Sequence, residues 1–204
     1  MMPEFQSGLF DLAVVAALAY VLGSVPFGLV VARVMGLGNL RDIGSGNIGA
    51  TNVLRTGNKA AAFLTLVFDA GKGAVAVLIA QRYVGADAAQ IAGLFAFLGH
   101  LFPVWLRFNG GKGVATFLGL VLALQFWAGF AACMTWLLIA VVFRMSSLAA
   151  LVAAAAAPLW LWVFGSPSLI SLTVALAILI FLRHSANIRR IIAKEEPKIG
   201  GSKN

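Results

Sequence analysis

Long apolar stretches separated by short polar ones run along almost the whole chain. The apolar stretches cover about 9–32, 60–80, 88–105, 114–143, 147–164 and 168–182. Most of them are long enough to cross a hydrocarbon core of about 30 Å at about 1.5 Å per residue of helix. The stretch from 147 to 164 is continuously apolar and rich in alanine, whereas the strands of a membrane barrel alternate. The pattern predicts an all-α integral membrane protein, one compact helical bundle that forms a single domain over 1–204.

The stretch 114–143 decides the number of spans, because it fits either one long tilted helix or two short ones that turn near Gln125. One crossing would put Arg144 and the cations of the tail opposite the polar loops around Arg41 and Lys112. Two crossings put all these cations on one side, as the positive-inside rule requires. We therefore predict about seven transmembrane helices, with the amino terminus outside and the carboxy terminus in the cytoplasm.

Composition agrees with a membrane protein and narrows its partners. Hydrophobic residues make up 61% of the chain and charged residues 11%, whereas soluble domains are about a quarter charged. Cytoplasmic loops rich in Lys and Arg, together with anionic ligands, account for the net charge of +8, so we expect no nucleic-acid partner. The single cysteine, Cys133, lies inside an apolar stretch and can build neither a disulfide framework nor a zinc site.

The longest polar interruption, 41–55, is called the first loop below. It is rich in glycine, which lets backbone amides approach a ligand, and its arginine supplies charge and a two-pronged donor. Its candidate ligand-binding groups belong to Gly44, Ser45, Gly46, Asn47, Gly49, Thr51, Asn52 and Arg55. These groups favour binding of an oxyanion.

The second loop, 107–113, contains Gly110, Gly111, Lys112 and Gly113 just before an apolar stretch. Free backbone amides, the amino end of a helix and an ammonium group would together form a phosphate cradle. The run is not a Walker A motif, because the glycine spacing, the residue after the lysine and a preceding strand are missing. Glycine and lysine are also ordinary loop residues, so a plain loop is the alternative.

Two charged residues, Asp69 and Lys72, lie inside the stretch 60–80. They are three residues apart, on one face of a helix, where they can pair. Charges at such depth face a partner or a wet cavity and commonly have a function. A purely structural ion pair is the alternative.

The tail carries His184, Asn187 and Arg190, which fall on one face if the helix continues. Histidine often serves in acid–base chemistry, and Asn187 lies beside it on that face. The alternative is a structural histidine at the membrane interface.

The chemistry that these groups suit is the binding of phosphorylated substrates and the stabilisation of negative charge in a transition state. The sequence has no cluster of carboxylates or thiolates for a metal, no paired carboxylates for glycoside chemistry and no Gly-x-Ser-x-Gly elbow. We predict neither a metal nor a cofactor, and the apolar body indicates a substrate with a lipid chain. The alternative is a transporter of phosphorylated metabolites, with Asp69 and Lys72 as its intramembrane charges.

Six motifs, in order and over nearly the whole chain, resemble the bacterial acyl-phosphate:glycerol-3-phosphate acyltransferases. They lie at 23–28 (Gly-Ser-Val-Pro-Phe-Gly), 44–55, 69–73 (Asp-Ala-Gly-Lys-Gly), 99–103, 110–116 and 183–188. The resemblance implies an enzyme that transfers an acyl group from acyl phosphate to the sn-1 hydroxyl of glycerol 3-phosphate, giving lysophosphatidate and phosphate. It also implies the bacterial plasma (inner) membrane, an active site near the cytoplasmic face, membrane lipids as neighbours and, as a candidate partner, the soluble enzyme that makes acyl phosphate.

The matching motifs also imply roles for residues. Ser45, Arg55, His184 and Asn187 would be catalytic, while Asp69 and Glu196 would be structural. The residues expected to bind substrate or phosphate are Asn47, Gly49, Thr51, Asn52, Lys72, Gly110, Gly111, Lys112, Gly113 and Thr116. Many relatives have lysine at position 109 and glycine at 194, where this chain has Asn109 and Lys194. The base is either His184 or a phosphate oxygen of the donor, and we favour the donor because no carboxylate near His184 is evident to orient it.

Overall fold

The computed structural model describes residues 6–200, which form α-helices joined by turns and short 3-10 helices. The contacts divide the chain into two compact units, one ending at Leu124 and the other beginning at Gln125. The all-helical class predicted from the apolar pattern is therefore confirmed for the described part of the chain. The single domain over 1–204 stays a prediction.

The first unit is built around one long helix. In chain order its helices are α1 (Leu9–Gly23), α2 (Phe27–Val34), α3 (Ala50–Val53), α4 (Lys59–Tyr83), α5 (Ala86–Leu101) and α6 (Val114–Leu124). The long helix α4 packs against each of the other five helices. Small residues allow this closeness: a Cβ added to Gly119 of α6 would lie 2.2 Å from the carbonyl oxygen of Ala70 on α4.

The first apolar stretch is broken between α1 and α2 at Ser24, Val25 and Pro26. Proline lacks the amide that would continue the helix, so the break frees backbone carbonyls. The carbonyl of Ser24 accepts a hydrogen bond from Trp105 Nε1 at 2.8 Å, and that of Val25 accepts one from Lys72 Nζ at 2.8 Å. Side chains from other segments of the unit therefore provide hydrogen-bond donors for the carbonyls that the break frees.

The second unit contains α7 (Phe126–Phe143), α8 (Ser146–Val163), α9 (Ile170–Arg183) and α10 (Ser185–Ile192). Helix α8 packs against both α7 and α9. Gly165 has φ +71° and ends α8, as glycine does after many helices. The helix does not continue straight through His184, because α9 and α10 meet there at a bend of 65°, so the condition for one shared face along a single helix is not met.

Five helical segments within residues 6–200 are long and apolar enough to cross a membrane, or up to six if the bent pair α9–α10 is one span. The break predicted at Gln125 is confirmed, since its side-chain oxygen caps α7 by accepting from the amides of Trp127 and Ala128. One long helix over 114–143 is thereby excluded. Helix α6 has only 11 residues, or about 16 Å, well short of the hydrocarbon core. The count of seven and the orientation of the termini stay predictions.

Candidate active site

Asn52 organises the first loop. Its side chain is buried, and its amide nitrogen donates to the carbonyls of Leu40 at 3.0 Å and Asn47 at 2.7 Å. Its side-chain oxygen accepts from the backbone amide of Ser45 at 3.0 Å. One buried side chain thus ties together three points of the loop backbone, and a buried amide satisfied in this way is costly to remove. The placement supports a role in shaping the loop.

Ser45 and Arg55 lie at the exposed edge of the first loop and approach the same atom. Ser45 Oγ is 3.3 Å from Asn52 Oδ1, and Arg55 Nη1 is 3.4 Å from it. Gly44 makes room for this arrangement, because its φ is +55° and an added Cβ would lie 2.6 Å from Arg55 Cδ. The structure therefore brings a hydroxyl and a guanidinium, both expected to be catalytic, onto one edge with the exposed Thr51 nearby in the chain.

Asn47 and Gly49 hold the middle of the first loop. Asn47 Oδ1 accepts from the amide of Gly49 at 3.2 Å, and the carbonyl of Gly49 accepts from the amide of Asn52 in the first turn of α3. Between them, Ile48 is buried, and its carbonyl oxygen lies 1.8 Å from where a Cβ on Gly28 would be. Contact with α2 therefore anchors this part of the loop.

The glycines of the second loop pack against the end of α5. The amide of Gly110 donates to the carbonyl of Leu101 at 3.0 Å, and that of Gly111 to the carbonyl of His100 at 3.1 Å. These carbonyls belong to the last turn of α5, where the helix offers no partner. In this structure both amides are therefore bonded within the protein, and the role of the two glycines in binding phosphate stays a prediction. Each is a glycine because a Cβ would clash with His100, at 2.1 Å from its carbonyl oxygen and 2.2 Å from its Nε2.

Lys112 and Thr116 occupy different surroundings. Lys112 is half-buried just before the first turn of α6, and Gly113 beside it has φ +83°. Thr116 is completely buried, and its hydroxyl donates to the carbonyl of Asp69 at 2.8 Å. This contact joins α6 to α4, so the position of Thr116 gives no support to a substrate contact.

The charged pair of α4 forms as predicted. Lys72 Nζ lies 2.9 Å from Asp69 Oδ1, with both side chains at most 3% exposed, and it also donates to the carbonyl of Val25. His100 Nδ1 lies 3.6 Å from the same Asp69 oxygen, and the opposite side of the imidazole faces Gly111. The ion pair therefore lies beneath the second loop, and the His100 ring lies between Asp69 and Gly111. This burial favours the structural alternative for Lys72, which had been expected to bind phosphate.

Arg41 joins the two loops. Its Nη1 donates to the carbonyl of Gly46 in the first loop at 3.2 Å, and its Nη2 donates to the carbonyl of Asn109 in the second loop. Neither Arg41 nor His100 was among the candidate site residues. His100 lies inside the conspicuous segment 99–103 and Arg41 begins the first loop, but only the folded chain shows which segments they connect.

Glu196 holds the tail of the second unit. Its carboxylate accepts from Ser147 Oγ at 2.7 Å, Asn187 Nδ2 at 2.6 Å and Arg190 Nε at 2.7 Å. Burial raises the pKa of Glu196, but these three hydrogen bonds and the charge of Arg190 outweigh it and hold the pKa below its ordinary value. Lys194, two residues earlier, has φ +61°. This left-handed conformation favours glycine, and the turn there brings Glu196 to Asn187.

His184 is buried at the bend between α9 and α10. Its Nδ1 lies 2.8 Å from the carbonyl oxygen of Ile180. Because a carbonyl can only accept, Nδ1 is the donor of this bond, and in the neutral form of the ring the lone pair lies on Nε2. His184 and Asn187 belong to the second unit, and their convergence with the two loops stays a prediction.

Elsewhere, a cavity of about 580 Å³ lies at the other end of the first unit and is lined by the start of α1 and α5. Its acid, Asp87, accepts from the amides of Gln6 and Ser7 at 2.9 and 2.8 Å and from the Ser7 hydroxyl at 2.8 Å. These bonds tie the segment before α1 to the first turn of α5. Within residues 6–200, no three His, Cys, Asp or Glu side chains are grouped so as to hold a metal ion.

Comparison with known proteins decides the family. The family model described as glycerol-3-phosphate acyltransferase matches residues 13–194. The chain belongs to this family. The acyltransferase is 63% identical over 200 residues to the glycerol-3-phosphate acyltransferase of Jannaschia sp. (strain CCS1), a match that covers 98% of each chain. It is 58% identical over 199 residues to that of Cereibacter sphaeroides (strain ATCC 17025 / ATH 2.4.3), covering 98% of this chain and 95% of the relative.

Solved structures agree with this assignment. The acyltransferase matches a crystal structure of PlsY (YgiH), an integral membrane glycerol 3-phosphate acyltransferase in its glycerol 3-phosphate form. The TM-score is 0.87 at 38% identity, with 92% of this chain and 94% of that chain covered. The lysophosphatidic acid form of PlsY matches with a TM-score of 0.84 at 36% identity. The membrane acyltransferase predicted from the motifs is confirmed, and the transporter gains no support.

Proposed function

We propose that the acyltransferase moves an acyl group from acyl phosphate to the sn-1 hydroxyl of glycerol 3-phosphate, in the first acylation step of bacterial phospholipid synthesis. The acceptor oxygen bonds to the acyl carbon, the bond from that carbon to the phosphate oxygen breaks, and the hydroxyl proton passes to phosphate. The products are lysophosphatidate and inorganic phosphate. The PlsY structures support the acceptor and the product, since they are named for glycerol 3-phosphate and lysophosphatidic acid.

The observation that carries the proposal is the pair of loops linked by Arg41, with Ser45 and Arg55 on the edge of one and Lys112 at the end of the other. Two anionic substrates repel each other, and cations from both loops would offset that repulsion. The positive end of the α6 dipole adds to the field around Lys112. We assign Arg55 and Lys112 to the phosphates and Ser45 to hydrogen bonding within the same site.

Little acid catalysis is needed, because acyl phosphate is a mixed anhydride with a good leaving group. The enzyme's main contribution is to align the acceptor hydroxyl with the acyl carbonyl and to stabilise the charge that develops. A phosphate oxygen of the donor takes the proton in the mechanism we favour. The tautomer of His184 supports a second candidate, since the carbonyl of Ile180 orients the ring as a carboxylate would and leaves the lone pair on Nε2.

Two donors separate the proposal from its rivals. Purified protein is incubated with labelled glycerol 3-phosphate and either palmitoyl phosphate or palmitoyl-CoA, and labelled lipid is measured. We expect product from acyl phosphate alone, a large loss with Arg55→Ala and little change with Arg33→Ala, which removes an exposed cation at the end of α2. Product from the thioester alone would show a different donor, and labelled substrate accumulating in liposomes without product would show transport.

The base is tested with His184→Gln. If the donor phosphate takes the proton, the variant keeps a pH–rate profile of the wild-type shape, although its rate falls. Loss of the ascending limb near the pKa range of histidine would assign the proton to His184.

We also propose that the protein lies in the bacterial inner membrane with about seven spans, the amino terminus outside and the active site facing the cytoplasm. The cations of both loops and of the tail support this orientation. In a Cys133→Ser background, Tyr83→Cys and Lys59→Cys place single exposed thiols at the two ends of α4. On intact cells an impermeant thiol reagent should label the first and not the second, and the opposite labelling would reverse the orientation.

A further inference from the structure

Arg41 begins the first loop in a fixed position. It lies in the 3-10 turn Leu40–Asp42, and the side-chain oxygen of Asn39 accepts from its backbone amide at 3.1 Å. The amide nitrogen of Asn39 donates to Asp42 Oδ2 at 2.9 Å. Asn39 thus holds the turn and engages the neighbouring carboxylate, so the Arg41 side chain is directed to other partners.

Those partners are two neutral carbonyls, one in each loop. The guanidinium donates one N–H to the carbonyl of Gly46 and another to that of Asn109, and these two residues are 63 apart in the chain. A guanidinium offers donors in a rigid planar fork, whereas an ammonium is a single point on a flexible stem. This contact therefore requires the shape of arginine as well as its charge.

The backbone is strained just before Asn109, whose carbonyl Arg41 binds. Arg107 and Phe108 both have positive φ, 51° and 61°, a conformation that costs a non-glycine residue about 1–3 kcal/mol. The amide of Phe108 donates to the carbonyl of Pro103 at 3.0 Å and so helps to hold the turn. The next two residues are the glycines docked on the end of α5, and Lys112 follows them. A contact at Asn109 thus bears on where Lys112 is placed.

We propose that Arg41 is a positioning residue that fixes the distance between the first and second loops, so that Arg55 and Lys112 act on the same pair of substrates. It acts through the carbonyls of Gly46 and Asn109 and touches neither substrate. This inference rests on the proposed assignment of both loops to the substrate site.

Two variants of Arg41 separate shape from charge. Arg41→Lys keeps the charge but cannot span both carbonyls. Arg41→Gln removes the charge and also cannot span them. Arg33→Gln is the matched control, because it removes an exposed cation that holds no loop. Each protein is measured for hydrogen exchange in the segments 44–49 and 106–113, for its melting temperature, and for kcat and KM with glycerol 3-phosphate, using whichever acyl donor the wild type accepts.

Both Arg41 variants should exchange the amides of the second loop, including those of Gly110 and Gly111, at least about tenfold faster than the wild type. Their kcat should fall about ten- to a hundredfold, as expected when catalytic groups on two loops are misaligned by about 1 Å. Exchange in the tail and the melting temperature should change little, and the Arg33→Gln control should match the wild type.

Four outcomes would overturn the inference. Unchanged loop exchange with a raised KM would mean that Arg41 contacts substrate directly. Wild-type behaviour of Arg41→Lys would mean that charge alone suffices. Faster exchange without a change in kcat, or a general loss of stability in both variants, would mean that the bridge is only structural. If the wild type does not use acyl phosphate, the proposed donor is refuted. The inference about Arg41 is then still tested by hydrogen exchange in the two loops and by kcat with the donor that the wild type accepts.

Discussion

Replacing Glu196 with glutamine should loosen the tail of the second unit, because one carboxylate there serves three donors. Hydrogen bonds to a charged group contribute about 1.5–3 kcal/mol each, but the bond from Arg190 counts for less, since that side chain is 37% exposed and screened by water. Ser147 and Asn187 share Oε1, so glutamine can keep its oxygen for them, uncharged, but it then turns its N–H₂ group towards the Arg190 donor. We expect the free energy of unfolding to fall by about 2–4 kcal/mol.

Thermal unfolding in detergent is the assay. For a chain of this length, 2–4 kcal/mol corresponds to a fall in melting temperature of roughly 5–15 °C. Glu195→Gln is the control, because Glu195 is an exposed neighbour that carries the same charge. A Glu196→Gln variant that melts within about 1 °C of this control would refute the reasoning, since the three bonds would then contribute nothing net.

The same carboxylate predicts a dependence on acid. The pKa of Glu196 is lower in the folded protein than its ordinary value of 4.5, despite burial, because of its hydrogen bonds and the charge of Arg190. The unfolded chain therefore binds the proton more readily, and the stabilisation is complete above pH 4.5 and is lost as the pH falls through the folded pKa. The wild type should lose stability below this pH more steeply than Glu196→Gln. Parallel acid profiles of the two proteins would contradict the assignment.

Further substitutions test other parts of the structure. Lys194→Gly should raise the unfolding free energy by up to about 1 kcal/mol, because φ is +61° there, and thermal melting checks this. Asp69→Asn should cost about 3–5 kcal/mol by leaving Lys72 buried without a counter-charge, and adding Lys72→Met should recover much of that loss in the same melts. Gly111→Ala should undock the second loop from His100 and cut kcat at least about tenfold, measured beside faster exchange of the loop amides.

The breaks between helices were predictable because they depend on local chemistry. Gln125 ends one apolar stretch and caps the next helix with its own side chain, and Gly165 ends another helix at positive φ. The pairing of Asp69 with Lys72 is also local, since residues three apart share one face of a helix. The bend at His184 was missed. No proline or glycine marks the bend, and His184 Nδ1 bonds back to the carbonyl of Ile180 in the last turn of α9.

Contacts between segments that are distant in the chain could not be predicted from the pattern of residue types. Asn52 was expected to bind substrate on the strength of its amide group, yet that group is used by Leu40, Asn47 and Ser45. The sequence does not indicate that Arg41 links the two loops, because its partner Asn109 is remote in the chain and contributes a backbone carbonyl that any residue would offer. A side chain's chemistry can be predicted from its type, but its partner is known only from the fold.

The glycines of the second loop show how one signal can have two origins. A glycine-rich run lets backbone approach a phosphate, and it equally lets backbone approach another part of the protein. At Gly110 and Gly111 the near neighbour is His100, and the amides complete the last turn of α5. An amide already bonded to a carbonyl must break that bond before it can serve an anion. Under the proposed function, a phosphate at this loop is met by Lys112 and the first turn of α6, and the proposed bridge from Arg41 acts on catalysis through the placement of Lys112.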